Sequence, residues 1–356
     1  MTPLYSDTIR VRRTLRGGAP LWATYYAPIS TSFGTVAKQH MRHLPRMGYN
    51  IHYVVLEDLI EHTAIPIELQ DKQDRWALLQ PVFSAFEKKR ESFENVRLGH
   101  TRLGGFDVAD SDRLSEYAVD IANRLDLVMV PTRHSKEIYR RSGVKTRIEA
   151  IPHGINETLY SEPKGYLPVV PQNGIKILFF MWHSEIRKGA DVVRTAIDKI
   201  LEEYNNVYLI LKTTTQLLRH PRTVRIKHWL SEPDLIRLYD SCDILLSPSR
   251  GGGFELNVLE GMARGIVPIV SDWGAIQEYA GEHSLTIRNT GKQVQPLPNN
   301  TIHCGYGADP DPEHCYELIK HAIENLEDLK ARRKRRHRRF AKNTHGRRRR
   351  RRLSNV

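Results

Sequence analysis

Residues 249–271 read SRGGGFELNVLEGMARGIVPIVS, and their reading decides the fold. Gly251, Gly252 and Gly253 follow the apolar run DILLSPS, and behind them Leu256, Leu259, Met262 and Ala263 recur on one helical face. The stretch therefore predicts strand, glycine loop, helix. Glycines let a ligand approach the backbone closely, and the helix that follows presents unpaired N–H groups and the positive end of its dipole. The loop is built to cradle an anion. Glu260 lies one turn into the helix, where a carboxylate accepts two hydrogen bonds from a ribose diol when the loop wraps a nucleotide. No Gly-Lys-Ser/Thr follows, so this is not a P-loop, and no G-x-G-x-x-G with an acidic residue about twenty positions on is present.

The same residues resemble the hallmark segment of the GT-B glycosyltransferases of retaining family 4, the glycosyl transferases group 1, written E-G-F-G-L-x-x-x-E-A-x-A-x-G. Phe254, Leu256, Glu260, Ala263 and Gly265 carry the match. Gly252 replaces the first Glu of the pattern, and Glu255 sits where a glycine is usual. That leaves two options for the first Glu's contact with donor-sugar hydroxyls: it has moved to Glu255, or it is lost. The resemblance implies an α/β, GT-B architecture, two Rossmann-like doubly wound domains facing across an interdomain cleft.

Length and composition agree with two domains. The 356 residues exceed the usual limit of a single core, and 40% are hydrophobic. No apolar run approaches the ~20 residues of a membrane span, and the first residues lack the apolar core of a signal peptide. A cytoplasmic protein is expected, peripheral at the inner membrane face if its tail binds lipid. Cys242, Cys304 and Cys315 fit no metal spacing and are odd in number, which speaks against a disulfide framework. The net charge of +13 is concentrated at one end: residues 331–356 hold fourteen Lys or Arg and no acid, which leaves −1 for the rest. Such a block is expected to be disordered and to bind polyanions, either an anionic membrane surface or nucleic acid.

Along the chain, PLWATYYA (20–27) reads as a first buried strand, and Gly34 stands at the strand-to-helix turn that follows. The resemblance places Gly34 under the donor diphosphate. Residues 60–94 are polar and helical at best. NVRLGHTRLGGFD predicts a short strand ending at His100. In related transferases a His or Asp at such a strand end lies beside the reacting anomeric carbon, which makes His100 a catalytic candidate. The segment RLDLVMVPTRHSKEIYRRSGV resembles the family's strand, Ser/Thr loop and helix, with Thr132 or Ser135 as cap. Three prolines without periodicity mark 157–173 as a linker, so the expected domains are 1–156 on the acceptor side and 174–330 for the nucleotide sugar, with 331–356 as tail.

The second domain opens with IKILFFMWHSEIRKGADVV. Family members usually read G-R-x-x-x-x-K-G here, the Arg and Lys gripping the donor diphosphate. Lys188-Gly189 match, Trp182-His183 stand in place of Gly-Arg, and Arg187 is the substitute. The expected site thus has Lys188, Glu255 and His100 as catalytic candidates. Its donor-binding set is Gly34, Arg187, Lys188, Gly252, Gly253, Phe254, Glu255, Leu256, Asn257 and Glu260.

Transfer from a nucleotide sugar develops negative charge on the leaving diphosphate, so cations and preorganised donors matter more than a strong base. The expected reaction is metal-independent transfer of a hexose from a UDP- or GDP-linked donor, with no cofactor. By resemblance it retains anomeric configuration. The acceptor, whether lipid, glycan or protein, is not written in the sequence. Two triplets, Asp110-Ser111-Asp112 and Asp309-Pro310-Asp311, would suit a metal-dependent GT-A enzyme, but neither follows a strand. The alternative from another class is a catalytically eroded GT-B scaffold that binds membrane or nucleic acid through its arginine tail.

Overall fold

The computed structural model describes residues 22–28, 31–56, 75–86, 90–156, 163–215 and 217–331. Most of the expected basic tail and the first six residues of the expected linker, 157–162, therefore lie outside the described residues. Two compact units emerge. The first comprises Met1–Gly154 with Gly252–Phe254 and Leu297–Tyr306, and the second comprises Ile155–Gly251, Glu255–Pro296 and Gly307–Val356. No helix among the described residues is long and apolar enough to cross a membrane.

The first unit carries a six-stranded parallel sheet: β1 (Trp22–Ala27), β2 (Asn50–Val55), β3 (Arg75–Leu79), β4 (Arg102–Phe106), β5 (Leu127–Val130) and β6 (Ile148–Ala150), in the order β2-β1-β3-β4-β5-β6. Parallel strands need crossovers, here α1 (Ser32–His43), α2 (Val82–Phe86), α3 (Arg90–Gly99), α4 (Glu116–Asn123) and α5 (Arg133–Ser142). Both faces are covered because side chains alternate along each strand. Tyr25 packs with Ala37 and Ile51 on one face, while Tyr26 joins Phe83, Phe93 and Ile121 on the other. Thr132 caps α5 by accepting from Ser135 N–H at 3.1 Å.

Two expectations for this unit are corrected. Strand β3 lies inside the stretch read as helical at best. The strand expected to end at His100 is instead the helix α3, which buries Phe93 and Val96 three residues apart, and the strand begins only at Arg102.

The second unit repeats the plan with β7 (Ile175–Met181), β8 (Val207–Thr213), β9 (Thr223–Ile226), β10 (Ile244–Ser247), β11 (Val267–Ser271) and β12 (Leu285–Ile287), in the order β12-β11-β10-β7-β8-β9, all parallel. Its helices are α6 (Glu185–Lys188), α7 (Ala190–Glu203), α8 (Glu232–Asp240), α9 (Leu256–Ala263), α10 (Ala275–Tyr279) and α11 (Pro312–Glu324). Ile177, Phe179 and Met181 pack against α7 and α11, and Leu178 and Ile210 pack against α8 and α9. Each such fully buried side chain contributes about 1.5–3 kcal/mol. Ser231 caps α8, accepting from Asp234 N–H, with Pro233 in the first turn.

Candidate functional site

In the second sheet the chain runs outward from β7 through β8 to β9, then returns to place β10 on the other side of β7. The reversal opens a crevice at the carboxyl ends of β7 and β10, where doubly wound sheets bind ligands. The loop after β7 carries Arg187 and Lys188, and the loop after β10 carries the three glycines. Gly189 brings the two loops together: its φ is +70°, and a Cβ there would lie 2.1 Å from the Pro248 carbonyl oxygen. Only glycine permits both that conformation and that approach. Arg250 N–H then donates to the Arg187 carbonyl at 2.7 Å, Ser249 Oγ donates to the same oxygen at 3.2 Å, and Arg187 Nη1 donates to the Gly251 carbonyl at 3.3 Å.

Into this frame projects Glu255, the residue that stands where the resembled pattern has a glycine. Its side chain is 5% exposed. The carboxylate accepts from Lys188 Nζ and lies 3.7 Å from Arg187 Nη1 and 3.2 Å from Ser249 Oγ. Its own N–H donates to the Tyr279 hydroxyl at 3.0 Å. Burial of two cations is costly unless an anion meets them, and Glu255 is that anion. Helix α9 begins at the next residue, so Leu256 and Asn257 form its first turn. Farther along α9, Glu260 accepts from the Tyr239 hydroxyl at 2.7 Å, which fixes the carboxylate's orientation.

The other candidates belong to the first unit. Gly34 sits in the first turn of α1, donating to Thr31 Oγ1 at 3.3 Å. Gly252, Gly253 and Phe254 pack with the first unit, where Gly253 N–H donates to Asp110 at 2.8 Å and the Phe254 ring meets His153 edge-on at 4.9 Å. Burial lowers the His153 pKa to about 4, so its ring is neutral near pH 7. His100 lies at the amino end of β4, not at a strand's carboxyl end. Its Nδ1 donates to the Val96 carbonyl at 2.9 Å, so its Nε2 accepts from Thr24 Oγ1 at 3.2 Å.

The carboxyl end of β4 is followed instead by Asp107, which the sequence reading passed over because it misplaced the strand. Burial pushes its pKa up to about 7, against the lowering effect of the N–H groups of Phe83 and Val108 that donate to it.

The two Asp-x-Asp triplets are occupied within the fold. Asp309 pairs with Arg250, whose guanidinium also binds Asp191, and Asp311 caps α11. Asp110 takes the Gly253 N–H, and Asp112 takes that of Tyr306. Among the described residues no group of three or more His, Cys, Asp or Glu side chains is arranged to hold a metal ion.

Residues 175–295 match the family model described as glycosyl transferases group 1. A protein of Sulfolobus islandicus filamentous virus, isolate Hveragerdi, named as a glycosyltransferase, is 29% identical over 226 residues, which span 62% of this chain and 63% of that protein. Among solved structures, an α,α-trehalose-phosphate synthase (UDP-forming) from Burkholderia vietnamiensis superposes with a TM-score of 0.61 at 10% identity, over 90% of this chain and 94% of the other. A sucrose-phosphate synthase from Thermosynechococcus elongatus gives 0.60 at 13% identity, over 91% and 100%. The chain has the GT-B fold of these enzymes, and its second unit resembles the glycosyl transferases group 1.

Proposed function

We propose that the protein transfers a hexose from a UDP- or GDP-linked donor to an acceptor that is a lipid, a glycan or a protein. The observation that carries the reading is the placement of Arg187, Lys188 and the start of α9 at the reversal point of the second sheet, with a carboxylate already seated between the two cations. A site that holds Glu255 in this way is shaped and charged for an anion. In the reaction, the donor diphosphate takes the place of that carboxylate, and Arg187, Lys188 and the first-turn amides of α9 meet the charge that develops on the leaving group. Glu260, oriented by Tyr239, accepts from the ribose hydroxyls. The cations supply this stabilisation without a metal ion, and by resemblance the configuration at the anomeric carbon is retained. The arginine-rich tail, outside the described residues, serves to hold the enzyme near an anionic surface carrying the acceptor.

Calorimetry and thermal shift with UDP-glucose, GDP-mannose and UDP-N-acetylglucosamine, each with and without chelator, test the reading, together with release of nucleoside diphosphate over time. Stabilisation by one donor class, unchanged by chelator and lost in Lys188→Ala, is expected. If no donor stabilises the protein and no diphosphate is released, the reading falls, and the inactive-scaffold alternative takes its place.

A further inference from the structure

Helix α6, which carries Arg187 and Lys188, is a single turn of four residues. A helix of that length has no stability of its own, so its place is set by what holds it from outside. It has no side-chain cap at its N-terminus, and it is bounded by two left-handed residues, Ser184 at φ +60° and Gly189 at φ +70°.

What holds it is Arg250, the residue before the three glycines. The Arg250 side chain is 7% exposed, and five bonds match the five N–H groups of its guanidinium. Nη1 donates to the Ile186 carbonyl at 3.1 Å and to Asp191 at 2.7 Å. Nη2 donates to Asp191 at 2.8 Å and to Asp309 at 3.1 Å, and Nε donates to Asp309 at 3.3 Å. The Ile186 carbonyl belongs to the C-terminal end of α6, where helix carbonyls lack partners and a cation is favoured. Asp191 belongs to the first turn of α7, on the far side of Gly189. One side chain therefore clasps both ends of the turn that Gly189 makes. Its backbone ties in two further segments: the N–H donates to the Arg187 carbonyl at 2.7 Å, and the carbonyl accepts from Ala308 N–H at 2.8 Å. A Cβ at Gly307 would lie 1.9 Å from that same carbonyl oxygen, so the segment ending at Asp309 comes as close as glycine allows.

Stability alone does not call for this arrangement, since a buried ion pair replaced by apolar side chains of similar size is often as stable or more so. What a planar fork of directed bonds supplies, and apolar packing does not, is a fixed place for the groups attached to it. Those groups are the turn with Arg187 and Lys188 on one side and the glycine loop on the other.

We infer that Arg250 is the positioning residue of the anion site, acting through Arg187 and Lys188 rather than on the ligand. The inference rests on the nucleotide-sugar reading above. Cations held in place stabilise charge as it develops on the leaving diphosphate without first having to reorganise, and a misplacement of about 1 Å costs on the order of 100-fold in rate. Ground-state binding is more forgiving, because a mobile lysine or arginine side chain still reaches a diphosphate that is already fully charged.

The test uses Arg250→Lys, which keeps the charge but not the fork, and Asp191→Asn, which keeps the partner's shape but not its charge. Asp191 has a side chain 63% exposed, so its variant should fold as the parent does. On the full chain, kcat and KM for release of nucleoside diphosphate from UDP-glucose or GDP-mannose are measured beside the Kd of inorganic pyrophosphate, with the folded fraction taken from circular dichroism. Arg250→Lys is expected to lose on the order of 100-fold in kcat and Asp191→Asn about 10-fold, with KM and the pyrophosphate Kd within about 3-fold of the parent in both. A merely stabilising role would lower the unfolding midpoint and leave kcat per folded molecule unchanged. Parental kcat per folded molecule in Arg250→Lys overturns the inference while the donor-site reading stands, and should that variant not fold, parental kcat in Asp191→Asn does the same. An equal loss of kcat and pyrophosphate affinity also overturns it, for Arg250 would then be needed by the bound anion itself. A parent that binds neither donor nor pyrophosphate and releases no diphosphate overturns the donor-site reading.

Discussion

Lys188 and Glu255 stand 67 residues apart in the chain and form an ion pair, with 5% of the Glu255 side chain exposed. The pair exists because β7 and β10 are neighbours in the sheet although not in sequence. Removing one partner of a buried pair leaves the other uncompensated, at a cost of roughly 3–5 kcal/mol. Arg187 at 3.7 Å offsets part of this. Lys188→Ala is therefore expected to lose about 3 kcal/mol in urea unfolding, and adding Glu255→Gln to it should restore part of the loss. A double variant less stable than Lys188→Ala would show that the pair is not what holds this region. Nucleotide affinity separates the two residues: it should fall in Lys188→Ala and rise in Glu255→Gln, where the carboxylate no longer competes with a diphosphate.

Glu260 makes a narrower case. The Tyr239 hydroxyl donates to one of its oxygens at 2.7 Å, which fixes the direction in which the carboxylate points. Glu260→Gln should keep the fold, since the amide oxygen still accepts from Tyr239. It should weaken UDP or GDP binding by about 10-fold, the worth of one hydrogen bond to a charged group. Tyr239→Phe should produce a smaller loss through misorientation. Undiminished affinity in Glu260→Gln would remove this residue from the donor site.

Much of the second unit was legible in its residues because strands buried on both faces read as continuous apolar runs, as IKILFFM and DILLS do. The first unit was harder. RWALL is only five residues and sits in a polar stretch, while the end of α3, NVRLG, has a strand-like composition although its buried Phe93 and Val96 follow helical spacing. That one misreading put a strand's end at His100 and passed over Asp107, the residue that follows the carboxyl end of β4. The ion pair at Glu255 was not readable, because a carboxylate in place of a glycine shows nothing of its partners until strand order is known. Nor was the clasp of Arg250, whose partners Asp191 and Asp309 each lie 59 residues away in the chain.

Lys212, next to last in β8, carries a pH signature. It is only 6% exposed, and its Nζ has no hydrogen-bond partner among the described residues. Burial puts its folded pKa at about 8, below the ordinary lysine value of 10.5. Between these values the unfolded chain binds the proton that the folded chain has released, so stability gains from rising pH. Below about pH 8 both states are charged and the full penalty of the buried ammonium is present. Lys212→Met should be more stable than the parent at pH 7 by about 1–3 kcal/mol, the cost of an unsatisfied buried group. The difference should shrink as pH rises from 8 toward 10.5. Chemical unfolding of both proteins across that range checks it, and a constant difference would mean that another effect of the substitution dominates.

Gly189 tests whether the site depends on backbone geometry as much as on charge. Its φ of +70° would strain any residue with a Cβ, and that Cβ would meet the Pro248 carbonyl oxygen at 2.1 Å, far inside contact distance. Backbone cannot yield as a side-chain tip can, so Gly189→Ala must push the loop after β7 away from the loop after β10. The hydrogen bonds from Arg250 and Ser249 to the Arg187 carbonyl span that junction and should be the first to break. The expected loss is at least 2 kcal/mol from strain and broken bonds together. Donor affinity should fall as far as in Lys188→Ala, although no charge has been removed. An alanine variant that loses stability but keeps full affinity would show that Arg187 and Lys188 reach the ligand independently of this junction.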